Sequence, residues 1–518
     1  MKYNYFNFKK WDADAVLLTN DFGEWVFVTY DTFQQLLNHT LTAQDTNHQL
    51  LSSKGFIFET APEVYIEKYR DKLQTSKTYL FDATSLHIFV MTNECNARCV
   101  YCQAQSDCSH KKGMMTSDIA DAALDIMFQS PSPYLSLEFQ GGEPLLNYPV
   151  IQHVTLHAEE LARKKRKHLQ VSLVSNLTLL TDEMITFFRE HNISISTSID
   201  GPEALQFLNR PLRNGKNTYP ETIHGLYHLR EQGVMAGAIE TTTRYSLGRW
   251  KEIVDTYKEL DLHSIFLRPL TPLGLANEDW NRIGYTAEEF IEFYRHALYY
   301  IIDLNKQGYY MSEGHASTFV TKILGGFGIN YMELRSPCGA AVGQMAYYYD
   351  GNIFTCDEGR MLSEMGDNAF KLGNIQNSYD ELMNSGACKA CGVASCLESA
   401  PTCHDCVYQP YCGTCPVVNY ALDGDIFPKE QNSYRCVVYK GMIETIFTLL
   451  HENDPENIRI LNSWKSARKS QMSKTKKDDE TQTLTVIERE QQLVDRAESA
   501  HAKQQGGDMK RKSVLLFF

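Results

Sequence analysis

The stretch Met91–Gln103, MTNECNARCVYCQ, sets Cys95, Cys99 and Cys102 at Cys-x3-Cys-x2-Cys spacing. Three thiolates on one short loop can hold three irons of a [4Fe–4S] cube, leaving the fourth iron open to a substrate or cofactor. The bland alternatives for this loop are a zinc site or three reduced, buried thiols. Zinc prefers four ligands, usually as two separated pairs; the loop offers three and a stray Cys108. Further along stands Gln140-Gly-Gly-Glu-Pro144, where paired glycines let the backbone come close to a ligand because no Cβ intervenes.

The cysteine triad, with Tyr101 directly ahead of Cys102, resembles the signature of radical S-adenosylmethionine (SAM) enzymes. That resemblance implies that the open iron chelates the amino and carboxylate groups of SAM. One electron then splits the sulfonium, and a 5′-deoxyadenosyl radical takes a hydrogen from the substrate. It also implies a SAM site made of Tyr101, Gly141, Gly142 and Glu143 (the last three at the amino group), Ser175 and Asn176 (ribose side), and Ser198 and Arg244 (carboxylate). An arginine fork suits planar, bidentate recognition of that carboxylate. Arg268 is a weaker candidate for SAM or substrate, and Asp200-Gly201 reads equally well as a plain turn.

A second cysteine-rich region begins with Cys338-x12-Gly351-x4-Cys356 and continues as Cys403-x2-Cys406-x5-Cys412-x2-Cys415, with Cys436 beyond. A zinc ribbon is the competing reading, but its pairs normally stand about 15–20 residues apart. The pattern resembles the SPASM extension of radical SAM enzymes, which carries two auxiliary [4Fe–4S] clusters. The resemblance assigns Cys403, Cys406, Cys412 and Cys436 to an outer cluster. It assigns Cys338, Cys356 and Cys415 to an inner one, a ligand short. Cys396 can fill the gap, the site can stay open for substrate, and Cys388 and Cys391 are further candidates. Asp357, directly after Cys356, matches the position of the proton-accepting aspartate of sulfatase-maturing enzymes. Near clusters and cationic SAM its carboxylate would stay ionised. A surface turn acid is the ordinary reading.

Within the superfamily the chain resembles the maturase of the His-Xaa-Ser peptide system. The matching stretches include Glu138-Phe-Gln-Gly-Gly-Glu-Pro-Leu-Leu-Asn147, Ser336-Pro-Cys-Gly-Ala-Ala341, Cys356-Asp-Glu-Gly-Arg-Met361 and Tyr408-Gln-Pro-Tyr-Cys-Gly413. This implies a ribosomally made precursor peptide as substrate, an electron donor such as flavodoxin or ferredoxin, and other maturation proteins of the same system as partners. The expected product is an intramolecular crosslink. Oxidation of one side chain, as in sulfatase maturation, is the runner-up; it needs no leader-binding module, so it expects deletion of residues 1–85 to leave activity intact. A radical SAM enzyme for a small molecule is a third reading, and a non-catalytic zinc-binding interaction protein the reading from another class.

These residues need rigid strand ends to hold them. Apolar or β-rich runs recur at 86–91, 135–140, 169–175, 193–199, 236–243 and 264–270, with helical stretches such as Thr116–Gln129, Val150–Lys167 and Asp182–His191 between them. Such alternation means βαβ units and a parallel sheet. The fold class is therefore α/β, and six repeats fit the partial (β/α)6 barrel of radical SAM enzymes, with the chemistry at the C-terminal strand ends. Residues 1–85 read as a small α+β module: strands at Val16–Leu18 and Trp25–Val28 around Asn20–Gly23, then a helix at Thr32–Leu37. It is similar to the winged-helix modules that hold leader peptides, and reads equally as a cap. The expected domains are 1–85, the barrel at 86–304, a helical linker at 305–334, the SPASM region at 335–440, and a C-terminal helix with a flexible charged tail at 441–518.

Bulk properties narrow the class. A chain of 518 residues that is 43% hydrophobic can bury large cores. A net charge of −14 disfavours nucleic acid as a partner. The start, MKYNYFNFKKWDAD, lacks a signal-peptide core, and no run reaches membrane-span length. Without export, fourteen cysteines are better read as iron–sulfur ligands than as disulfides. A reducing, oxygen-poor cytoplasm is expected.

Overall fold

A computed structural model describes residues 2–104, 112–326, 328–329, 332–427 and 433–465. Cys108 and the charged tail lie outside the described residues. After a short strand at Lys2–Tyr3 that pairs with Ile57–Phe58, the chain forms a three-stranded antiparallel sheet, β1 (Asn7–Lys10), β2 (Ala15–Thr19) and β3 (Trp25–Thr29), in that spatial order. Helices α1 (Tyr30–Leu37), α2 (Thr46–Ser53) and α3 (Pro62–Ser76) follow. The sequence signals for β2, β3 and α1 sit where these elements form. Strand β1, a charged Asn-Phe-Lys-Lys run, carries no strong strand signal and is recruited by its pairing with β2.

The main sheet runs, in spatial order, β9-β8-β7-β6-β5-β4-β10-β11-β12. Its parallel part comprises β4 (Leu86–Val90), β5 (Tyr134–Gln140), β6 (His168–Val174), β7 (Ser194–Ser198), β8 (Ala236–Thr241) and β9 (Leu267–Arg268). Between them lie α4 (Ser117–Met127), α5 (Tyr148–Lys165), α6 (Asp182–Glu190), α7 (Tyr219–Glu231) and α8 (Trp250–Glu259). Strand β4 is buried at four consecutive positions, His87–Val90, as a central parallel strand covered on both faces must be. Threonines cap α4 and α6: Thr116 Oγ1 accepts from Ile119 N and Thr181 Oγ1 from Met184 N. The barrel's last strand is shorter than the run 264–270 suggests, because Ser264–Ile265 leaves this sheet to pair with Ser312–Glu313.

The sheet does not stop at its first barrel strand. β10 (Gln344–Tyr347) adds parallel to β4, and β11 (Asn352–Phe354) and β12 (Lys371–Asn374) extend it antiparallel. The cysteine-rich region is thus built onto the barrel edge rather than tethered to it. Helices α9 (Ala287–Lys306), with a Thr286/Glu289 capping box, and α10 (Gly314–Gly325) bridge the two. Beyond them come α11 (Asp357–Glu364), α12 (Gly386–Ala394), α13 (Pro416–Asp423), α14 (Tyr434–Glu452) and α15 (Pro455–Ser463). Lys322 on α10 is buried; its ammonium donates to the carbonyls of Leu334 and, at 2.7 Å, Tyr411. Burial pushes its pKa down to about 7.

The N-terminal sheet docks on the cysteine-rich region. Thr19 Oγ1 donates to Val407 O at 2.7 Å, and Asn7 Nδ2 to His404 O and Cys406 O at 3.0 and 3.1 Å. Trp11, Trp25 and Phe27 pack edge-on against Phe447 of α14. Among the described residues no helix is long and apolar enough to cross a membrane.

Candidate radical SAM site

The cysteine loop leaves the C-terminal end of β4 and lies against the Gly-Gly-Glu turn that leaves neighbouring β5. Gly142 N donates to Thr92 O and Glu143 N to Glu94 O, both at 2.8 Å. Gly141 takes φ +149°, which favours glycine. A Cβ on Gly142 would fall 2.5 Å from the Glu94 carbonyl carbon and 3.1 Å from Cys95 Cβ. Both glycines are therefore needed for the turn to sit against the cysteine loop.

Glu143 is buried and carries three hydrogen bonds. Ser175 Oγ donates to it at 2.8 Å, Asn176 N at 2.9 Å and Leu145 N at 3.1 Å. Burial outweighs these bonds and raises its pKa to about 7. Asn176 Nδ2 donates to Asn96 Oδ1 at 2.9 Å, tying the end of β6 to the cysteine loop. Ser198 ends β7, half-buried, its carbonyl accepting from Gln206 Nε2. Arg244 follows β8, and its Nε donates to Gly284 O at 2.6 Å.

Beneath the cysteines lies a buried polar network that sequence reasoning missed. Asp200, which reads as a turn residue, is fully buried. Tyr101 donates to it at 2.7 Å and Arg210 Nε at 3.1 Å. Arg210 stacks over the Tyr101 ring, 5.0 Å from its centroid, and its Nη1 stands 3.8 Å from Cys99 Sγ. Burial pushes the Cys99 thiol up to about 11, with Arg210 pulling the other way. Asp200 and Arg210 stand ten residues apart in a mixed polar stretch, and no spacing there marks them as partners.

The other cysteines form two groups. Cys403, Cys406, Cys412 and Cys436 lie within electrostatic reach of one another. Cys338, Cys356 and Cys415 pack together in one buried cluster, and the fourth thiol there is Cys391 on α12, not Cys396. Cys396 Sγ turns instead to Glu398, 3.4 Å from Oε2. Cys391 sits within α12 among the inner thiols, whereas Cys396 lies beyond the helix end, where the chain brings it to Glu398. Ser395 fixes the arrangement, accepting from Cys338 N at 2.8 Å and donating to Cys391 O at 2.6 Å. The Cys-x2-Cys spacing of Cys388 and Cys391 was the available signal.

These thiols suit iron–sulfur cubes. The inner four are buried and the outer four half-buried, and burial pushes Cys391 and Cys412 up to about 12. A thiolate in such surroundings needs a cationic partner, which cluster iron supplies. Cys356 and Cys415 sit at the N-caps of α11 and α13, where helix dipoles favour negative charge. One tetrahedral zinc, with Zn–S near 2.3 Å, would need tighter clustering: among the described residues, the triplet of ligand atoms that gathers within 4.8 Å contains no cysteine.

Between the cysteine loop and the inner thiols lies a cleft lined by Gln103, Arg268, His315, Glu333, Glu358 and Arg435, with Tyr434 and Tyr439. Arg435 Nη2 stands 3.2 Å from Glu333, and Arg268 Nη2 3.9 Å from Glu358. Asp357 does not line this cleft. It is buried against Arg360, whose Nε donates to it at 3.0 Å, while its neighbour Glu358 faces the cleft.

Residues 89–260 match the radical SAM superfamily. This chain carries a radical SAM domain. The radical SAM family uses a [4Fe–4S] cluster and SAM, and the residues described above fit both. Among relatives, the serine-type anaerobic sulfatase-maturating enzyme of Bacteroides thetaiotaomicron is 26% identical over 391 residues, covering 70% of this chain and 89% of that protein. An uncharacterized protein of Methanocaldococcus jannaschii is 28% identical over 185 residues, 36% of this chain; the match spans only 62% of that protein's length. In fold, this chain is similar to native anSMEcpe with bound AdoMet: TM-score 0.59 at 21% identity, over 73% of this chain and 99% of that one. The same protein with AdoMet and the Kp18Cys peptide gives a TM-score of 0.58, also at 21% identity and over 73% and 99% of the two chains.

Proposed function

We propose that this radical SAM enzyme modifies a ribosomally made precursor peptide, taking a hydrogen from one residue and closing an intramolecular crosslink. The observation that carries the reading is the charged, tyrosine-lined cleft between the cysteine loop and the inner thiols. It offers paired carboxylates and guanidinium groups suited to a polar peptide segment. In this reading Cys95, Cys99 and Cys102 hold the SAM-binding cluster, and Cys403, Cys406, Cys412 and Cys436 the outer auxiliary one. Cys338, Cys356, Cys391 and Cys415 hold the inner one. With SAM and its cluster bound, one-electron cleavage of the sulfonium supplies the 5′-deoxyadenosyl radical. Glu143, Ser175, Asn176, Ser198 and Arg244 orient SAM from the strand ends. Glu358, which faces the cleft, accepts the substrate proton, and the remaining electron would pass to the inner cluster when that is present; Asp357 stays paired with Arg360. The N-terminal module holds the leader of the peptide; a free edge of β1 or β3 can add an extended strand. Flavodoxin or ferredoxin supplies electrons, in a reducing cytoplasm. A precursor with His-Xaa-Ser repeats is the specific substrate this reading names.

The likeness to sulfatase-maturating enzymes favours a second reading, oxidation of a single serine or cysteine side chain. Deleting residues 1–85 no longer separates the two. The module covers the loop around Cys406 through Asn7 and Thr19, so its removal would expose the outer thiols whatever the substrate.

The test uses anaerobically reconstituted protein, SAM, dithionite and a synthetic peptide with His-Xaa-Ser repeats. The crosslink reading expects 5′-deoxyadenosine, a peptide lighter by two hydrogens, and missing fragment ions between the joined residues. A hydrazide-reactive carbonyl on a linear peptide would replace it with the oxidation reading. No nucleoside with or without peptide would remove both. Cys391→Ala should lose about four irons per chain, one cube's worth, and Cys396→Ala none; equal losses would refute the inner ligand set.

A further inference from the structure

Far from the cysteines, on the outer helical layer, three side chains converge on one point. His153 and His157 stand four residues apart on α5 and so share a face. Asp121 reaches them from α4. His153 Nε2 lies 2.8 Å and His157 Nδ1 2.6 Å from the same carboxylate oxygen, Asp121 Oδ1. All three ligand atoms fall within 4.8 Å of one another, and all three side chains are half-buried and open to solvent on one side.

We propose that Asp121, His153 and His157 bind one divalent first-row cation, zinc for preference, which clips α4 to α5. Two imidazole nitrogens and one carboxylate oxygen form a common zinc donor set, with solvent completing the shell. Around an ion with bonds of about 2.1 Å the ligand atoms stand roughly 3.4 Å apart, so the two N···O separations need to open by roughly 0.6–0.8 Å. Position gives the clip a purpose: α4 follows the cysteine loop and α5 follows the Gly-Gly-Glu turn. An ion joining them would brace the two segments on which the SAM site rests. The site is independent of the thiols and of the substrate reading.

The test titrates zinc into full-length, cluster-loaded protein, whose thiols are already engaged, followed by calorimetry and thermal melting. The parent should take up one zinc more per chain than a His153→Gln/His157→Gln variant of equal iron content, and only the parent's melting temperature should rise with zinc. Asp121→Asn keeps the shape but loses the charge, and should weaken zinc by at least roughly tenfold with iron unchanged. Equal zinc stoichiometry and affinity in parent and variants would overturn the proposal. So would a rise in melting temperature that the variants share.

Discussion

Gly142→Ala tests how tightly the SAM site is assembled. The added methyl would lie 2.5 Å from the Glu94 carbonyl carbon and 3.1 Å from Cys95 Cβ, where ordinary carbon contacts are about 3.5–4.0 Å. The cysteine loop must therefore move by about 1 Å. Overpacking of this kind costs about 1–3 kcal/mol. Moving the loop also strains the bonds from Gly142 N to Thr92 O and from Glu143 N to Glu94 O, worth about 1 kcal/mol each. Even 2 kcal/mol carried into SAM affinity is about thirtyfold in Kd. The assay is SAM binding by calorimetry on reconstituted protein, with iron content measured alongside. Gly248→Ala is the control: nothing lies within 4 Å of its added Cβ, so its effect should stay within about 0.5 kcal/mol. A Gly142→Ala protein with parental iron content and parental Kd would refute the packing argument.

Two further outcomes follow from buried charges. Glu143 has a pKa near 7 in the free protein, raised by burial, so it binds a proton through the neutral range. If it holds the cationic amino group of SAM, binding needs the carboxylate. Affinity should then fall, and proton release on binding should grow, as pH drops below 7; Glu143→Gln should bind weakly at every pH without that slope. Calorimetry in buffers of different ionisation enthalpy reads the released protons, and a flat profile in the parent would count against the assignment. The second concerns Arg210, whose guanidinium lies 3.8 Å from Cys99 Sγ. A positive charge there favours the reduced, more negative cluster. Arg210→Met should lower the reduced-to-oxidised ratio at a fixed poise by roughly tenfold, equivalent to about 59 mV for one electron. Redox titration followed by electron paramagnetic resonance would show this, and an unchanged midpoint would show that Asp200 already cancels the charge.

Local pattern was enough for part of this protein. The triad at Cys95, Cys99 and Cys102 and the Gly-Gly-Glu turn are legible because cluster and SAM chemistry confine their parts to one loop and one strand end. The strand–helix alternation is legible because each element must bury an apolar face at its own period. The remaining features depend on separation in sequence. The Cys-x2-Cys spacing made Cys388 and Cys391 candidates, but only the packing of α12 and the bonds of Ser395 bring Cys391, and not Cys388 or Cys396, to Cys338, Cys356 and Cys415. Asp200 becomes the anchor of Tyr101 and Arg210 because strand β7 ends beneath the cysteine loop. Asp357 looks like a base by position, yet in space it belongs to Arg360, while Glu358 faces the cleft. The strands of the cysteine-rich region join the barrel edge through β10, a pairing between residues more than 250 positions apart (Gln344 with Leu86). Sequence fixes which groups are present and their local geometry; long-range packing decides which of them meet, because the free energy that brings them together comes from burial of whole faces rather than from the groups themselves.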